Sequence, residues 1–256
     1  MKQIKYIGKY TVLEGVRDKI LYVSLFIIIA LIIFSFYLSL LTLTSPDIAF
    51  LSFSFYFLKA FSILALTFLT VFQLYKDKRK RAYEIVLTKL YNKAYYIWGK
   101  FIGYNILYLI TVSIVSLFIF LIVYILWNEI MLKIFIYPLI LSEQFFILSA
   151  IIFLLYLIFT SPTLTIISSL AIFFASHFSL DFYLFTVKTA KGLSKYIYIL
   201  LYYLFPNMEL FSLEKNIIHN LTLTPLNFTN LLSYSIAYGI LISFISGLIF
   251  NNKRDF

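Results

Sequence analysis

Residues 76–103 read KDKRKRAYEIVLTKLYNKAYYIWGKFIG and form the longest hydrophilic stretch in a chain of 256 residues that is otherwise strongly apolar. The stretch is also rich in cations, which are Lys76, Lys78, Arg79, Lys80, Arg81, Lys89, Lys93 and Lys100. A stretch of this kind between two apolar segments is typical of a loop on one side of a membrane.

The middle of this stretch has the pattern of an amphipathic helix. Apolar side chains recur at Tyr83, Val86, Leu87 and Leu90, which is the spacing of one helix face. Tyr91 and Asn92 interrupt the pattern, and Asn92 is a suitable N-cap for a second helix that enters the next apolar run. The sequence therefore predicts a helix-turn-helix elbow that docks on an aqueous partner. The alternative is a basic loop that only sets topology and contacts lipid headgroups.

Composition places the chain in a membrane. It is 62% hydrophobic and 12% charged, with a mean hydropathy of +0.96, whereas a soluble domain is about 45–50% apolar and about 25% charged. The formal net charge is +10, but the cations are concentrated in short loops, so we do not expect a nucleic-acid partner. With no cysteine and two histidines, the chain is poorly suited to a zinc or haem site.

Six transmembrane helices follow from the apolar segments, because a bilayer core needs about 20 apolar residues per helix. The predicted spans are residues 21–43, 54–75, 101–126, 138–159, 163–184 and 231–250. The nearly charge-free region from 138 to 184 is too long for one crossing, so the Ser161-Pro162 pair predicts a turn within it. Residues 4–19 predict an amphipathic N-terminal elbow helix on the membrane surface. The chain is thus expected to be one all-α integral-membrane domain over residues 1–256.

Orientation follows from the lysines and arginines. Most of the 21 lie in the N-terminal segment, the 76–100 loop and the C-terminal tail. The positive-inside rule therefore predicts that both termini and the 76–100 loop are cytoplasmic, in a multi-pass protein of the cell (inner) membrane. The 186–230 connection then lies outside the cytoplasm, and Lys59 is expected to extend outward to the interface on that side.

Two ionisable residues near lipid depth are candidates for a cavity or gate. Glu143 either lines a cavity or pairs at the outer interface with Lys133 or a tyrosine hydroxyl. His177 is either a gate residue or a structural histidine near the outer end of the fifth span.

No catalytic motif is present in the sequence. The Gly99-Lys100 pair precedes Phe101 and lacks the upstream glycine of a phosphate-binding loop. Neither H-E-x-x-H nor G-x-S-x-G occurs. We therefore expect no enzymatic activity, metal or bound cofactor in this chain itself.

Four segments together resemble the type-2 (exporter-type) ABC transporter permeases, membrane subunits whose ATPase is a separate chain. Residues 9–26, KYTVLEGVRDKILYVSLF, are similar to the family's elbow helix and first span. Residues 83–103 resemble the segment before its third span, with Glu84, Lys93, Tyr95, Gly99 and Lys100 at the matching positions. Residues 159–177, FTSPTLTIISSLAIFFASH, and 202–213, YYLFPNMELFSL, resemble its turn between spans four and five and its outer loop. The sequence departs from the family at Leu90, where many relatives have proline.

The resemblance implies a mechanism and a set of partners. It implies that a cytoplasmic coupling helix between spans two and three docks on the ATPase through Tyr83, Glu84, Val86, Leu87, Leu90 and Lys93. Two ATPase subunits, which would bind ATP and Mg²⁺, and a second permease subunit, identical or related, would complete the transporter. The other readings are an ion- or proton-coupled carrier without an ATPase, and a membrane enzyme acting on lipid or polyprenyl substrates. Sparse buried charge argues against the carrier, and the lack of clustered polar groups argues against the enzyme.

Overall fold

The computed structural model describes residues 2–42, 45–79, 94–178, 196, 205–219, 221 and 225–252, with side chains left out at 225–227 and 252. Within these residues the chain is helical and contains no strand. Its α-helices are α1 (Lys2–Val16), α2 (Lys19–Ser39), α3 (Pro46–Arg79), α4 (Ala94–Trp127), α5 (Tyr137–Ile158), α6 (Pro162–His177), α7 (Glu214–Ile218) and α8 (Pro225–Asn252). Short 3₁₀ helices precede α5 and α7, at Leu132–Ile136 and Met208–Phe211.

Five of the described helical segments are long and apolar enough to cross a membrane. They are Lys19–Ser39, Pro46–Arg79, Ala94–Trp127, Leu132–Ile158 and Phe228–Asn251. The prediction of an all-helical fold is therefore confirmed for the described residues, and several of their helices have the length and composition of membrane spans. The prediction of a sixth span over 163–184 is not settled, because α6 is an apolar helix of 16 residues and residues 179–184 lie outside the described part.

The helices are longer than several of the predicted spans. α3 begins at Pro46, eight residues before the predicted span, because proline at the first helical position needs no N–H partner and has a suitable φ. It continues to Arg79, and α4 begins at Ala94, so both edges of the predicted 76–100 loop are helical. α5 ends at Ile158 and α6 begins at Pro162, so the helical structure is interrupted just before the Ser161-Pro162 pair, as predicted.

Helices α2, α3, α4 and α5 run in alternating directions, and their contacts define two ends of the bundle. At the far end, the Trp127 ring packs 5.5 Å from Phe50 and 6.4 Å from Phe36. We call the other end the basic end, since α2 begins there at Lys19 and α3 ends there at Arg79. Both α1 and the last turns of α8 contact the first turns of α4 at the basic end.

The interior is apolar, and α5 is the most buried of the possible spans. It packs against α4 and α8, while α2 packs mainly on α3. Aromatic stacking contributes to this core: the Tyr108 and Phe145 rings lie 4.2 Å apart, and the Phe55 and Tyr137 rings 4.1 Å apart. This packing holds the polar groups described next in fixed positions.

Candidate functional site

A buried cation lies at the basic end, where α1, α3 and α4 meet. The Lys100 side chain is only 2% exposed, and its Nζ lies 2.8 Å from Asp77 Oδ2 and 3.0 Å from Glu14 Oε2. The Tyr96 hydroxyl donates a 2.8 Å hydrogen bond to the same Asp77 oxygen. The Tyr96 and Tyr104 rings lie about 6 Å from the ammonium. We call Glu14, Asp77, Tyr96 and Lys100 the Lys100 cluster.

The buried ammonium of Lys100 has the oppositely charged and hydrogen-bonding neighbours that a buried charge needs. Removing a charge from water costs several kcal/mol per ion, and the cost is recovered only with opposite charge and further hydrogen bonds. Here one ammonium meets two carboxylates, and a tyrosine hydroxyl donates to one of them. Such an arrangement is weak evidence of added stability, and it joins side chains of three helices at one point.

Small residues bring α1 close enough to α4 for this contact. A Cβ atom added to Gly99 would lie 2.6 Å from Ile7 Cβ, and one added to Gly103 would lie 2.8 Å from the Gly8 carbonyl oxygen. Gly99 and Gly103 are four residues apart and share one helix face, the G-x-x-x-G spacing that allows membrane helices to approach closely. Glu14, near the end of α1, is thereby carried to Lys100.

The junction of α1 and α2 is also tied to α3. Asp18 caps α2 by accepting a 3.1 Å hydrogen bond from the Ile20 backbone N–H, and it accepts a second, 3.2 Å long, from Gln73 Nε2. Gln73 is 1% exposed, and its Oε1 atom has no hydrogen-bond partner among the described residues. Residues 2–18 are therefore attached to α3 at Gln73 and to α4 at Lys100.

The Lys100 cluster bridges the helices that flank the predicted docking segment. α3 ends at Arg79 and α4 begins at Ala94, and the Asp77–Lys100 ion pair joins the two. The predicted docking residues Tyr83, Glu84, Val86, Leu87, Leu90 and Lys93 lie outside the described residues. Their roles stay predictions.

A second polar group lines an open cavity of about 570 Å³ near the other end of α3. Lys59 on α3 forms a 2.9 Å ion pair with Glu214 at the start of α7. Both side chains are about one-fifth exposed. Phe173 and Phe174 of α6 supply part of the apolar wall. The expected outward extension of Lys59 thus ends, in the structure, on a carboxylate of the segment that connects α6 and α8.

The two predicted gate residues lie in different surroundings. His177 lines the cavity beside Lys59 and Glu214, with its ring 4.7 Å from that of Phe173 and its Nδ1 3.3 Å from the Phe173 carbonyl oxygen. Glu143 on α5 accepts a hydrogen bond from the Ser235 hydroxyl of α8 and is not among the residues lining that cavity. The structure therefore does not bring these two residues together.

Sequence reasoning missed the partners of both lysines. By position Lys100 belongs to the predicted 76–100 loop, and nothing local in the sequence links it to Glu14, which is 86 residues away. The Gly99-Lys100-Phe101-Ile102-Gly103 run contained a usable signal, since closely spaced glycines predict close helix contact. Among the described residues, no group of three histidine, aspartate or glutamate side chains converges as metal ligands would.

Comparisons with known proteins add no assignment to this geometry. No protein-family model matches the chain, and no curated protein matches it in sequence.

Proposed function

We propose that this chain is the membrane-spanning permease subunit of an exporter-type ABC transporter. It would work with two ATPase subunits that bind ATP and Mg²⁺, and with a second permease subunit of the same or a related kind. In this proposal residues 76–100 form the cytoplasmic coupling loop, the termini are cytoplasmic and the protein resides in the cell (inner) membrane. The chain transmits force and catalyses no reaction.

The observation that supports the proposal most strongly is the ion pair between Asp77 and Lys100. A docking segment transmits movement only when its two supports move together, because a loop on independent supports would absorb the displacement. Asp77 and Lys100 join the supports of residues 80–93 across 2.8 Å, and Glu14 adds α1 to the same unit at 3.0 Å. A push on residues 80–93 would therefore be delivered to α1, α3 and α4 together.

The amphipathic pattern of the segment supplies the docking face. In the predicted helix Tyr83, Val86, Leu87 and Leu90 would share one side, which suits insertion into an apolar groove of a partner. Glu84 and Lys93 beside that face would set the register through charge. Because basic residues flank the segment at both ends, a partner surface that carries acidic groups around the groove would fit it best.

Transport then requires two states of the bundle, and the ATPase would favour one of them on binding ATP. α1 contributes Glu14 and its close contacts to the moving unit, so this helix would follow α3 and α4 rather than stay fixed in the membrane surface. A second permease subunit would provide the surface against which the unit moves.

An ion- or proton-coupled carrier is the second candidate, and the cavity near Lys59 favours it. That cavity combines ionisable Lys59, Glu214 and His177 with aromatic walls, as a substrate or ion site of a carrier would. This function would need no ATPase.

Affinity purification from native membranes in mild detergent tests the proposal. The wild-type chain is expected to retain an ATP-hydrolysing subunit, and the Val86→Asp/Leu87→Asp variant is expected to lose it. The matched control is Ile85→Asp/Thr88→Asp, which adds the same charge to the opposite side of the predicted helix and should keep the subunit.

The outcomes separate the two functions. Loss of the ATPase in both variants, or in neither, would refute the proposed docking face. If no ATPase accompanies intact, dispersed wild-type protein, the carrier function is favoured, and His177→Ala and Glu214→Gln become the variants to assay for ion-driven transport.

A further inference from the structure

Two adjoining hollows lie between α2 and α3 at the basic end, and together they have the form of a lipid site. The first, of about 390 Å³, is lined by Lys76, Arg79, Gln73 and Asp18. The second, of about 520 Å³, runs from Lys19 along the two helices and is almost entirely apolar. Ile20 and Phe72 line both, so the two hollows adjoin.

The first hollow carries an excess of positive charge. Lys76 and Arg79 are exposed, and neither forms an ion pair with any side chain in the described part of the protein. Asp18 is the one carboxylate among the described lining residues, and it already accepts hydrogen bonds from Ile20 and Gln73. Two cations and one carboxylate leave the described lining of this hollow with a net positive charge, which favours an anion between Lys76 and Arg79.

Gln73 provides an independent sign that a ligand belongs here. Its side chain is 1% exposed and lines the hollow, yet its Oε1 atom has no hydrogen-bond donor among the described residues. A buried amide oxygen without a donor is costly. A hydroxyl in a ligand headgroup would satisfy it while the phosphate lies between Lys76 and Arg79.

The second hollow suits an acyl chain. Its walls are made by Val23 and Ile27 of α2 and by Phe61 and Phe68 of α3. Val23, Ile27 and Phe68 are exposed although they are large and apolar. From Lys19 to Ile27 the wall extends about 12 Å along the axis, at about 1.5 Å per residue.

The positions of the cations and the apolar groove along the helices indicate which kind of amphiphile fits the site. The cations lie at the ends of the helices, where a membrane interface is expected, and the apolar groove leads from them toward the middle of the bundle. A ligand seated in this way has its charged end at the interface and its chain parallel to the helices, as a lipid has within one leaflet. Basic pockets between membrane helices are typical binding sites for anionic lipid headgroups.

We propose that the two adjoining hollows between α2 and α3 together bind one anionic phospholipid. Its phosphate contacts Lys76 and Arg79, a headgroup hydroxyl donates to Gln73, and one acyl chain lies between Val23, Ile27 and Phe68. The site does not depend on the function proposed above, since a carrier with the same helices would have it too.

Lipid-dependent stabilisation of the purified full-length chain tests the site. The probes are dioleoyl phosphatidylglycerol, dioleoyl phosphatidylcholine and inorganic phosphate, each added to protein in the same neutral detergent. We expect phosphatidylglycerol to raise Tm with saturation, whereas phosphatidylcholine lacks the net charge and inorganic phosphate lacks the chain. Native mass spectrometry should find one phosphatidylglycerol retained per chain.

Variants separate a site from general attraction to a basic surface. Lys76→Gln/Arg79→Gln should weaken the apparent affinity for phosphatidylglycerol by about tenfold or more, since each cation near an anionic headgroup adds to binding. Lys2→Gln/Lys5→Gln removes the same charge from exposed positions of α1 at the same end and should leave the affinity within about twofold. Ile27→Trp fills the groove without changing charge and should weaken binding as well.

Three results would overturn the proposal. Equal stabilisation by phosphatidylcholine would remove the role of the cations, and equal losses in both double-glutamine variants would show nonspecific attraction. If Ile27→Trp changes the oligomeric state and leaves lipid binding unaltered, the groove is an interface with a second copy of the chain.

Discussion

Asp77 and Lys100 form a 2.8 Å ion pair between the last turn of α3 and the second turn of α4. The segment between these helices, residues 80–93, is the part of the chain in which the sequence predicts an amphipathic docking face. Glu14 contacts the same ammonium from α1. One buried cation therefore determines how three helices are joined at the basic end, and the first prediction concerns its removal.

Replacing Lys100 by methionine should destabilise the protein strongly. The substitution leaves the carboxylates of Glu14 and Asp77 near each other without their cation, and breaking a buried ion pair in this way costs about 3–5 kcal/mol. Thermal unfolding in one detergent, compared with wild type, measures the loss. Lys5→Met is the control, because Lys5 is exposed on α1 and its loss should cost less than about 0.5 kcal/mol.

Asp77→Asn should cost less than Lys100→Met. The amide oxygen can still accept from the Tyr96 hydroxyl, and Glu14 remains beside Lys100, so we expect a loss of about 1.5–3 kcal/mol for one charged hydrogen bond. Unfolding of the two variants side by side checks the order. A smaller loss for Lys100→Met than for Asp77→Asn would contradict the buried cluster.

Packing of α1 on α4 gives a second test. Gly99→Ala and Gly103→Ala would each place a Cβ within 2.6 Å of an Ile7 or Thr11 Cβ atom, and overpacking of this kind costs about 1–3 kcal/mol. Gly247→Ala is the matched control, because its nearest neighbour is Trp98 Nε1 at 3.2 Å. Limited proteolysis near the N-terminus and thermal unfolding should both separate the first two variants from the third. Equal behaviour of all three would show that α1 is not closely packed.

These contacts also mark what could be predicted from the sequence. Apolar runs of spanning length gave the helical, multi-pass architecture, because a bilayer imposes one length and one composition on every crossing helix. Lys100, in contrast, lies in the hydrophilic stretch of the sequence, but its side chain is buried between helices in the structure. Only the tertiary approach of Asp77 and of Glu14, the latter permitted by Gly99 and Gly103, makes that burial favourable.

The surroundings of Lys59 on α3 are a second case in which the sequence predicted a residue's behaviour but not its partner. The sequence predicted that Lys59 would leave the lipid, since a lysine within a span is costly. It could not predict Glu214 as the partner, because the connection from α6 to α7 has no periodic pattern that fixes its position over α3. His177, a candidate gate residue because its side chain is ionisable, lines the same cavity as Lys59. Glu143, the other candidate, lies elsewhere and accepts a hydrogen bond from Ser235.

The ion pair of Lys59 and Glu214 should contribute modestly to stability. Both side chains are partly exposed, so a double-mutant cycle with Lys59→Met and Glu214→Gln is expected to give a coupling energy of about 1 kcal/mol or less. Raising the salt from about 0.1 M to about 1 M shortens the screening length from about 10 Å to about 3 Å and should reduce the coupling. A coupling that is large and insensitive to salt would contradict the open position of the pair.

Single cysteines can decide how many times the chain crosses the membrane, because the chain has no native cysteine. Lys5, Lys215 and Asn251 are exposed, and α1 and the end of α8 lie at the same end of the bundle.

If α6 crosses the membrane, six crossings separate residue 5 from residue 251, and an odd number separates residue 5 from residue 215. An impermeant maleimide applied to intact cells should then label Lys215→Cys and should reach Lys5→Cys and Asn251→Cys only after permeabilisation. An odd total of five crossings would put residues 5 and 251 on opposite sides, against the shared end at which the structure places them, and residue 215 on the side of residue 5. Labelling of Asn251→Cys without Lys5→Cys would thus exclude six spans, and with them the permease architecture proposed here.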